Sequence, residues 1–147
     1  MLQKSVNKCI KIEDEYDSVQ KDKSIDWPIL RDISRNFINY KDKKQLFDFN
    51  DLVDLTIQKR NDKDFPTFKA IFIDEAQDLS LMQWDMAKSI WNKTTDSFIA
   101  GDDDQAIFRW AGADVDSFIA QKGLMVPLTQ SHRIPAAVHN VAMNIIN

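Results

Sequence analysis

Two short acidic runs contain the residue types best suited to chemistry in this sequence. Residues 74–78 have the sequence DEAQD and residues 101–105 have the sequence GDDDQ, and each run follows a short apolar stretch. Successive residues of an extended chain point to opposite sides, so Asp74 can enter the oxygen shell of Mg²⁺ while Glu75 contacts a water molecule. This arrangement suits phosphoryl transfer, which depends on positioning and on charge neutralisation.

A structural role is the competing interpretation of the first acidic run. Its carboxylates would also complement the dipole at the start of a helix predicted from Leu81. For an isolated Asp-Glu pair, helix capping is the more common role. The second acidic run, at the end of another predicted strand, favours a functional site.

An alternation of apolar runs and amphipathic segments must position these acids. Residues 68–73 and 97–100 predict strands, and each strand ends at one acidic run. Strands separated by helices imply right-handed crossovers and a parallel sheet with flanking helices, an α/β fold. The carboxyl ends of such strands share one edge, where ligands bind. The pattern also predicts a third strand at residues 124–128 and three helices at residues 81–91, 115–119 and 135–146.

The N-terminal part of the chain predicts helices instead of further strands. Residues 26–28 (DWP) mark a helix start, and apolar residues then recur at helical spacing as far as Tyr40. Residues 41–44 interrupt this pattern as a charged connection, and Asp48 can cap a second helix. Residues 1–24 are polar and are expected to be partly ordered at most. The helix faces predicted to be buried are formed by Phe49, Leu52, Val53, Thr56 and Ile57 and, near the C terminus, by Val138, Val141, Ala142 and Ile145.

Composition excludes several classes of protein. Among 147 residues there are three glycines, none followed by Lys and then Ser or Thr, so the Gly-rich phosphate loop of nucleotide hydrolases is absent from the sequence. The single Cys9 excludes an internal disulfide framework, and two histidines make a poor metal cluster. No apolar run approaches the roughly 20 residues that cross a bilayer, which predicts a cytoplasmic protein without a membrane partner. Residues 65–147 contain six Lys/Arg and ten Asp/Glu and so carry the net charge of −4, which argues against broad binding to phosphate backbones.

Three linked motifs resemble those of the UvrD/Rep-type superfamily 1 DNA helicases. Residues 74–78 are similar to motif II, residues 101–113 (GDDDQAIFRWAGA) to motif III and residues 128–133 (LTQSHR) to motif IV, in order and at suitable spacing. Residues 46–52 (LFDFNDL) resemble the segment that, in the family, leads from an inserted helical subdomain back into the first RecA-like domain. The resemblance covers residues 25–147 and implies a partial RecA-like P-loop fold with an N-terminal helical segment.

The resemblance implies roles in ATP hydrolysis for four residues. Asp74 would hold Mg²⁺, and Glu75 would be the general base that activates the attacking water. Gln105 would sense the terminal phosphate of ATP, whereas the three aspartates before it are interpreted as solvated turn residues. Arg133 would reach the γ-phosphate from the second RecA-like domain; a surface charge is the alternative for this arginine.

The resemblance also implies a contact with DNA. Trp110 matches the aromatic residue on which a base of single-stranded DNA stacks, a contact worth about 1 to 3 kcal/mol per base. Phe108 stands where the family often has Tyr and keeps a stacking face, and Arg109 is a candidate to supply a charge that the family places after the tryptophan. Gln77 and Asp78 match positions that link the nucleotide site to motif III. A role in the core is the alternative for Trp110.

The leading hypothesis is an internal portion of an ATP-dependent DNA helicase of replication or repair. Residues 1–45 would end the inserted helical subdomain, 46–122 would form the C-terminal half of the first RecA-like domain and 123–147 would begin the second. Its ligands would be Mg²⁺, ATP, single-stranded or partly duplex DNA and the remainder of the helicase polypeptide; the isolated chain is expected to be inactive without the phosphate loop. Two alternatives stay open: a helicase-like module that only binds DNA or a partner chain, and a nuclease that uses the acidic strand ends as a two-metal clamp about 3.5 to 4 Å wide.

Overall fold

The computed structural model describes residues 2–18 and 25–146, which form an α/β structure with a small parallel sheet. Met1, residues 19–24 and Asn147, which the predicted end domains include, lie outside the described residues. The helices and strands are α1 (Leu2–Asn7), α2 (Ile12–Ser18), α3 (Trp27–Lys44), α4 (Phe49–Gln58), β1 (Ala70–Ile73), α5 (Leu81–Trp91), β2 (Asp96–Ile99), α6 (Val115–Ile119) and α7 (Ala136–Ile146). Short 3₁₀ turns are formed by Lys59–Asn61, Ala76–Asp78, Asp103–Gln105 and Arg109–Ala111.

The first two predicted strands and the helix between them are confirmed. Strand β1 pairs in parallel with β2, with Ala70 opposite Asp96 and Ile73 opposite Ile99. Helix α5 connects the two strands and begins and ends at the predicted residues. Parallel pairing brings both carboxyl ends, and therefore both acidic runs, to the same edge of the sheet.

The prediction of a third strand is wrong. Residues 124–128 form no strand, and Leu124 and Leu128 are both 94% exposed. Their apolar pattern suits a buried strand, but no described segment runs beside them to accept the backbone hydrogen bonds that a strand requires.

The helices cover one face of the small sheet. Helix α5 contacts β1, in which Ile71 and Ile73 are half-buried. On the other face, Phe72 and Phe98 lie opposite each other with their rings stacked 4.7 Å apart, and they are 75% and 53% exposed. The predicted flanking helices are therefore confirmed for one face of the sheet.

The predicted helix starts in the N-terminal part are confirmed, but the predicted connection at residues 41–44 is wrong. Helix α3 follows Asp26, has proline in its first turn and continues through residues 41–44 to Gln45, whose backbone is left-handed (φ 52°). Three lysines in the last turn complement the helix dipole, so the charges extend this helix instead of ending it. Asp48 caps α4 in a reciprocal capping box with Asp51, as a helix start there predicts.

The predicted apolar face of α7 is mostly exposed, contrary to expectation, and that of α4 is exposed only in part. Val138, Val141 and Ile145 of α7 are exposed. In α4, Phe49 and Leu52 are exposed, whereas the other three predicted residues are half-buried and the helix packs against α5. The core lies around α5, where Trp84 is completely buried. Periodicity identified the faces, but burial depends on a partner surface, which the described residues do not supply to the exposed face of α7.

Residues 2–18 are more ordered than their polar composition suggests. They form α1 and α2, between which Glu15 is completely buried. Glu15 pairs with Lys4 at 3.3 Å and with Lys8 at 2.9 Å. Burial alone would raise the pKa of Glu15, but hydrogen bonds and charge from Lys8 and Lys4 outweigh it and hold this pKa below the ordinary glutamic value.

Candidate functional site

The first acidic run begins where the two strands end side by side. The Ala100 N–H donates to the carbonyl oxygen of Ile73 at 2.8 Å, and the Ala76 N–H donates to the carbonyl oxygen of Ala100 at 3.0 Å. These two bonds extend the backbone pairing past β1 and β2. Asp74 and Glu75 lie between them and are exposed at the sheet edge.

Glu75 adopts a backbone conformation that is rare for residues other than glycine. Its φ and ψ are 51° and 41°, in the left-handed region, which costs about 1 to 2 kcal/mol for a residue with a Cβ atom. This conformation turns the chain from β1 into the 3₁₀ turn Ala76–Asp78, and the Asp74 carboxylate accepts a hydrogen bond from the Glu75 N–H at 3.0 Å. Backbone strain of this kind is characteristic of functional sites.

Gln77 joins the two acidic runs through its side-chain amide. Its Nε2 donates to Oε2 of Glu75 at 2.8 Å, and its Oε1 accepts from the backbone N–H of Asp102 at 3.1 Å. The side chain is only 1% exposed. A Cβ atom at Gly101 would lie 2.6 Å from this Oε1, so the bridge requires glycine at position 101.

Asp102 has a structural role that the sequence analysis missed. Its carboxylate accepts from the Asp104 N–H and so caps the turn Asp103–Gln105, and its other oxygen accepts from Nε2 of Gln105. The candidate phosphate sensor Gln105 is therefore held by Asp102, which is itself held by Gln77. A cap residue directly before a tight turn is the signal that could have identified this role.

Helix capping does not explain the acids of residues 74–78. Ser80 caps α5, because its hydroxyl accepts from the Gln83 N–H while the Gln83 side chain accepts from the Ser80 N–H. Asp78 is half-buried, and its Oδ1 is a buried atom without a hydrogen-bond partner among the described residues. Neither Asp74 nor Glu75 is therefore needed to start this helix.

Trp110 lies in the exposed 3₁₀ turn Arg109–Ala111 and is not part of the core. Its side chain is 71% exposed, and the neighbouring Phe108 is 43% exposed. Arg109 pairs with Asp116 of α6 at 3.4 Å. The structure thus places the three residues predicted to bind DNA together on one surface.

The segment after Trp110 is bound to the segment after the first acidic run. Ala113 forms an antiparallel bridge with Ser80, and the Asp114 N–H donates to the carbonyl oxygen of Leu79 at 2.8 Å. The buried Trp84 donates from its indole N–H to the carbonyl oxygen of Asp114 at 3.2 Å. The exposed turn is therefore attached to the core through its backbone.

Arg133 is exposed, in the irregular segment before α7. No hydrogen bond or ion pair between described residues joins it to Glu75 or Gln105. Of the four residues predicted to act on ATP, Glu75 and Gln105 are linked through Gln77 and Asp102, and Asp74 directly precedes Glu75.

The donor set is suited to Mg²⁺ bound with a nucleotide more than to a metal cage. Mg²⁺ is commonly held by one or two carboxylates, with waters and phosphate oxygens completing its shell. Asp74 offers an exposed carboxylate directly after β1, which fits this pattern. In residues 2–18 and 25–146, no three His, Cys, Asp or Glu side chains converge to hold a metal ion. In the same ranges no helix is long and apolar enough to span a membrane.

The two parallel strands that end in acidic runs and the exposed aromatic turn attached to them lie within the part of the chain that a family model matches. The family model described as the UvrD/REP helicase N-terminal domain matches residues 2–124. The chain belongs to this family, which confirms the resemblance carried by the motifs.

Individual relatives agree with the family. The RecBCD enzyme subunit RecB of Buchnera aphidicola is 36% identical over 101 residues, which are 63% of this chain and 9% of the relative. The ATP-dependent DNA helicase Rep of Buchnera aphidicola is 30% identical over 96 residues, 61% of this chain and 15% of the relative. A probable DNA helicase of Mycoplasma pneumoniae is 32% identical over 123 residues, 76% of this chain and 23% of the relative. The chain spans less than a quarter of each of these proteins.

Proposed function

We propose that this chain is an internal portion of an ATP-dependent DNA helicase that couples hydrolysis of Mg-ATP to movement on single-stranded DNA. The observation that carries the proposal is the Gln77 bridge, which connects a candidate general base to the turn of a candidate phosphate sensor. In this proposal residues 1–45 end an inserted helical subdomain, 46–122 complete a first RecA-like domain and 123–147 begin a second.

The residues at the sheet edge divide the tasks of hydrolysis. Mg-ATP, when bound, supplies the phosphoryl group and a cation that neutralises its charge. Asp74 holds the cation, and Glu75 accepts a proton from the attacking water. Because Gln77 occupies one oxygen of the Glu75 carboxylate, it orients the other oxygen for that proton. Arg133 contributes positive charge from the second domain.

Gln105 and Trp110 connect this chemistry to DNA. Gln105 is bound to Asp102 in this structure, so a phosphate that attracts its amide would release it from the capped turn. The same segment continues to the exposed ring of Trp110, on which a DNA base stacks. Ala113 is bonded to Ser80, which follows the first acidic run in sequence. A shift of residues 74–78 is therefore transmitted to the Trp110 turn through backbone hydrogen bonds.

The DNA contact is tested by anisotropy of a fluorescent single-stranded oligonucleotide with the purified chain. We expect Trp110→Ala to weaken binding about 5- to 150-fold, the equivalent of about 1 to 3 kcal/mol. Phe47→Ala removes another exposed aromatic, outside the three motifs, and is the matched control, which should bind as the wild type does. Equal affinities of wild type and Trp110→Ala would refute the stacking site.

The hydrolytic roles require the rest of the polypeptide. The sequence contains no Gly-rich phosphate loop, so the isolated chain is expected to hydrolyse ATP at background rate. In the longer protein, Glu75→Gln should abolish DNA-stimulated hydrolysis and leave DNA binding intact. A DNA-stimulated ATPase in the isolated chain that Glu75→Gln abolishes would contradict the expected inactivity.

A second candidate is a module that binds DNA without hydrolysis, for which the exposed Trp110 would be sufficient. This candidate predicts the same loss of DNA binding in Trp110→Ala. The two candidates differ in the effect of Glu75→Gln in the longer protein, because a module without hydrolysis has no ATPase activity for this substitution to abolish. The two substitutions together therefore separate the candidates.

A further inference from the structure

The N-terminal helix α1 reaches the turn that carries Trp110. Nδ2 of Asn7, the last residue of α1, donates to the carbonyl oxygen of Ala111 at 3.3 Å, across 104 positions of sequence. Ala111 directly follows Trp110 and ends the 3₁₀ turn. Carbonyl groups at the end of a helical turn have no partner within it, so an outside donor fixes the turn at this point.

Gly112 makes this approach possible. Its φ of 107° is a conformation that only glycine adopts readily, and the residue is buried. A Cβ atom at position 112 would lie 3.0 Å from the Cβ atom of Asn7. The turn and α1 are thus in close contact beside the hydrogen bond.

Helix α1 is itself fixed by buried charge. Lys4 and Lys8, on either side of Asn7 in sequence, both pair with the completely buried Glu15 of α2. Loss of either lysine would leave the buried Glu15 carboxylate less compensated, so the two ion pairs favour the position of α1 beside α2. Helix α1 also contacts α4 and α5, and Asn7 is therefore presented from a rigid support.

The turn is attached at two residues that follow Trp110, while the ring of Trp110 stays free of the core. Asn7 holds the carbonyl oxygen of Ala111, and Ser80 bridges to Ala113 two residues later. Directly before these attachments, the side chain of Trp110 is 71% exposed. A stacking face whose backbone is already ordered loses less conformational entropy when a ligand binds.

We propose that Asn7 is a positioning residue that holds the Trp110 turn in its DNA-binding conformation. The DNA part of this inference rests on the proposed function; the ordering of the turn does not. Helices α1 and α2 then support the Trp110 turn, and a displacement of α1 from the turn weakens the binding of single-stranded DNA.

Hydrogen exchange tests the ordering of the turn without DNA. Asn7→Ala removes the amide donor but keeps the Cβ atom against Gly112, adds no charge and favours the helix. We expect the amides of residues 111–113 to exchange about 3- to 10-fold faster in this variant, as the loss of one neutral hydrogen bond implies. Gln3→Ala, at an exposed position of the same helix, is the control and should change nothing. Unchanged exchange at residues 111–113 in Asn7→Ala would overturn the proposal.

The wild-type protein provides a test that does not depend on a folded variant. The amides of Gly112 and Ala113 and those of Ala106 and Ile107 all donate to turn carbonyls. The second pair lies outside the Asn7 contact, whereas Gly112 is buried and Ala113 is also bridged to Ser80. Slower exchange at residues 112 and 113 than at 106 and 107 is therefore expected from the two attachments together, and equal exchange would overturn the ordering of the turn.

A double-mutant cycle connects the turn to DNA. In the anisotropy assay, Asn7→Ala should weaken binding of the single-stranded oligonucleotide about 3- to 10-fold, and the same substitution should have no effect in a Trp110→Ala background. Equal weakening in both backgrounds would overturn a role through Trp110, because a general loss of structure acts in both. If exchange accelerates while Trp110→Ala itself leaves DNA binding unchanged, the proposed DNA site fails and the positioning of the turn stands.

Discussion

The side chain of Gln77 donates a hydrogen bond to the Glu75 carboxylate at 2.8 Å while its other end accepts from the backbone of the second acidic run. One buried amide therefore contacts both acidic runs, and its bond to Asp102 spans 25 positions of sequence. The amide of Gln77 uses both its N–H donor and its carbonyl acceptor. A side chain that can only donate or only accept hydrogen bonds would therefore break one side of the bridge.

Gln77→Ala should destabilise the chain and disconnect the two acidic runs. The substitution leaves the Asp102 N–H and the Glu75 carboxylate without their partner, at a cost of about 1 to 3 kcal/mol in the free energy of unfolding. Urea denaturation of this variant and of Gln3→Ala, which is exposed on α1, measures the difference. A free energy of unfolding equal to that of the wild type would show that the bridge contributes nothing to stability.

Gly101→Ala should be harmful because Gln77 is present. The new Cβ atom would lie 2.6 Å from Oε1 of Gln77 and about 3 Å from the ring of Phe118, an overpacking that costs about 1 to 3 kcal/mol. In a Gln77→Ala background the first clash disappears and only the ring must shift. We expect the two destabilisations to be less than additive by at least 0.5 kcal/mol, roughly the smallest coupling that contacting residues show. Strict additivity in the urea cycle would exclude the close contact.

The sequence was sufficient for elements that are determined by local pattern and an adjacent partner. Helix α5 has apolar residues at helical spacing, and the two strands that flank it pair with each other, so both the bounds of α5 and the parallel pairing followed from the sequence. Residues 124–128 have an equally apolar pattern but no described neighbour, and they form no strand. Pattern indicates what a segment can become, and pairing decides whether it does.

Long-range polar contacts were beyond local patterns. Lys41 was assigned to a charged break, yet it belongs to α3. Its ammonium group bonds both Asp48 and Asp51, and this contact holds the pKa of Asp48 below its ordinary value. Residue types in the motifs located the acidic ends and the exposed Trp110. The contact of Asn7 with Ala111 joins segments 104 positions apart, which no sequence window contains.

Gly112→Ala and Gly123→Ala form a matched pair. Gly112 has a left-handed φ of 107° and contacts Asn7, so an alanine there should destabilise the chain by about 1 to 2 kcal/mol. Gly123 has open space around its Cβ position and no left-handed φ, so alanine there should be neutral or stabilise by up to about 1 kcal/mol through the unfolded chain. Thermal unfolding of both variants checks the difference, and similar melting temperatures would contradict the special geometry of residue 112.

Glu15 should make the stability of the chain depend on acid pH. Its folded pKa lies below the ordinary value near 4.5, since pairing with Lys8 and Lys4 outweighs the opposing effect of burial. A lowered pKa means that the unfolded chain binds this proton more tightly, so the stabilisation is complete above the ordinary value and is lost as pH falls through the folded pKa. Glu15→Gln should therefore unfold at a lower urea concentration than the wild type at pH 7, and the gap should narrow as the pH falls below 4.5. Glu13→Gln, which changes an exposed carboxyl on the same helix, is the control. A gap between wild type and Glu15→Gln that stays constant from pH 7 to pH 3 would contradict the buried charge cluster that supports α1.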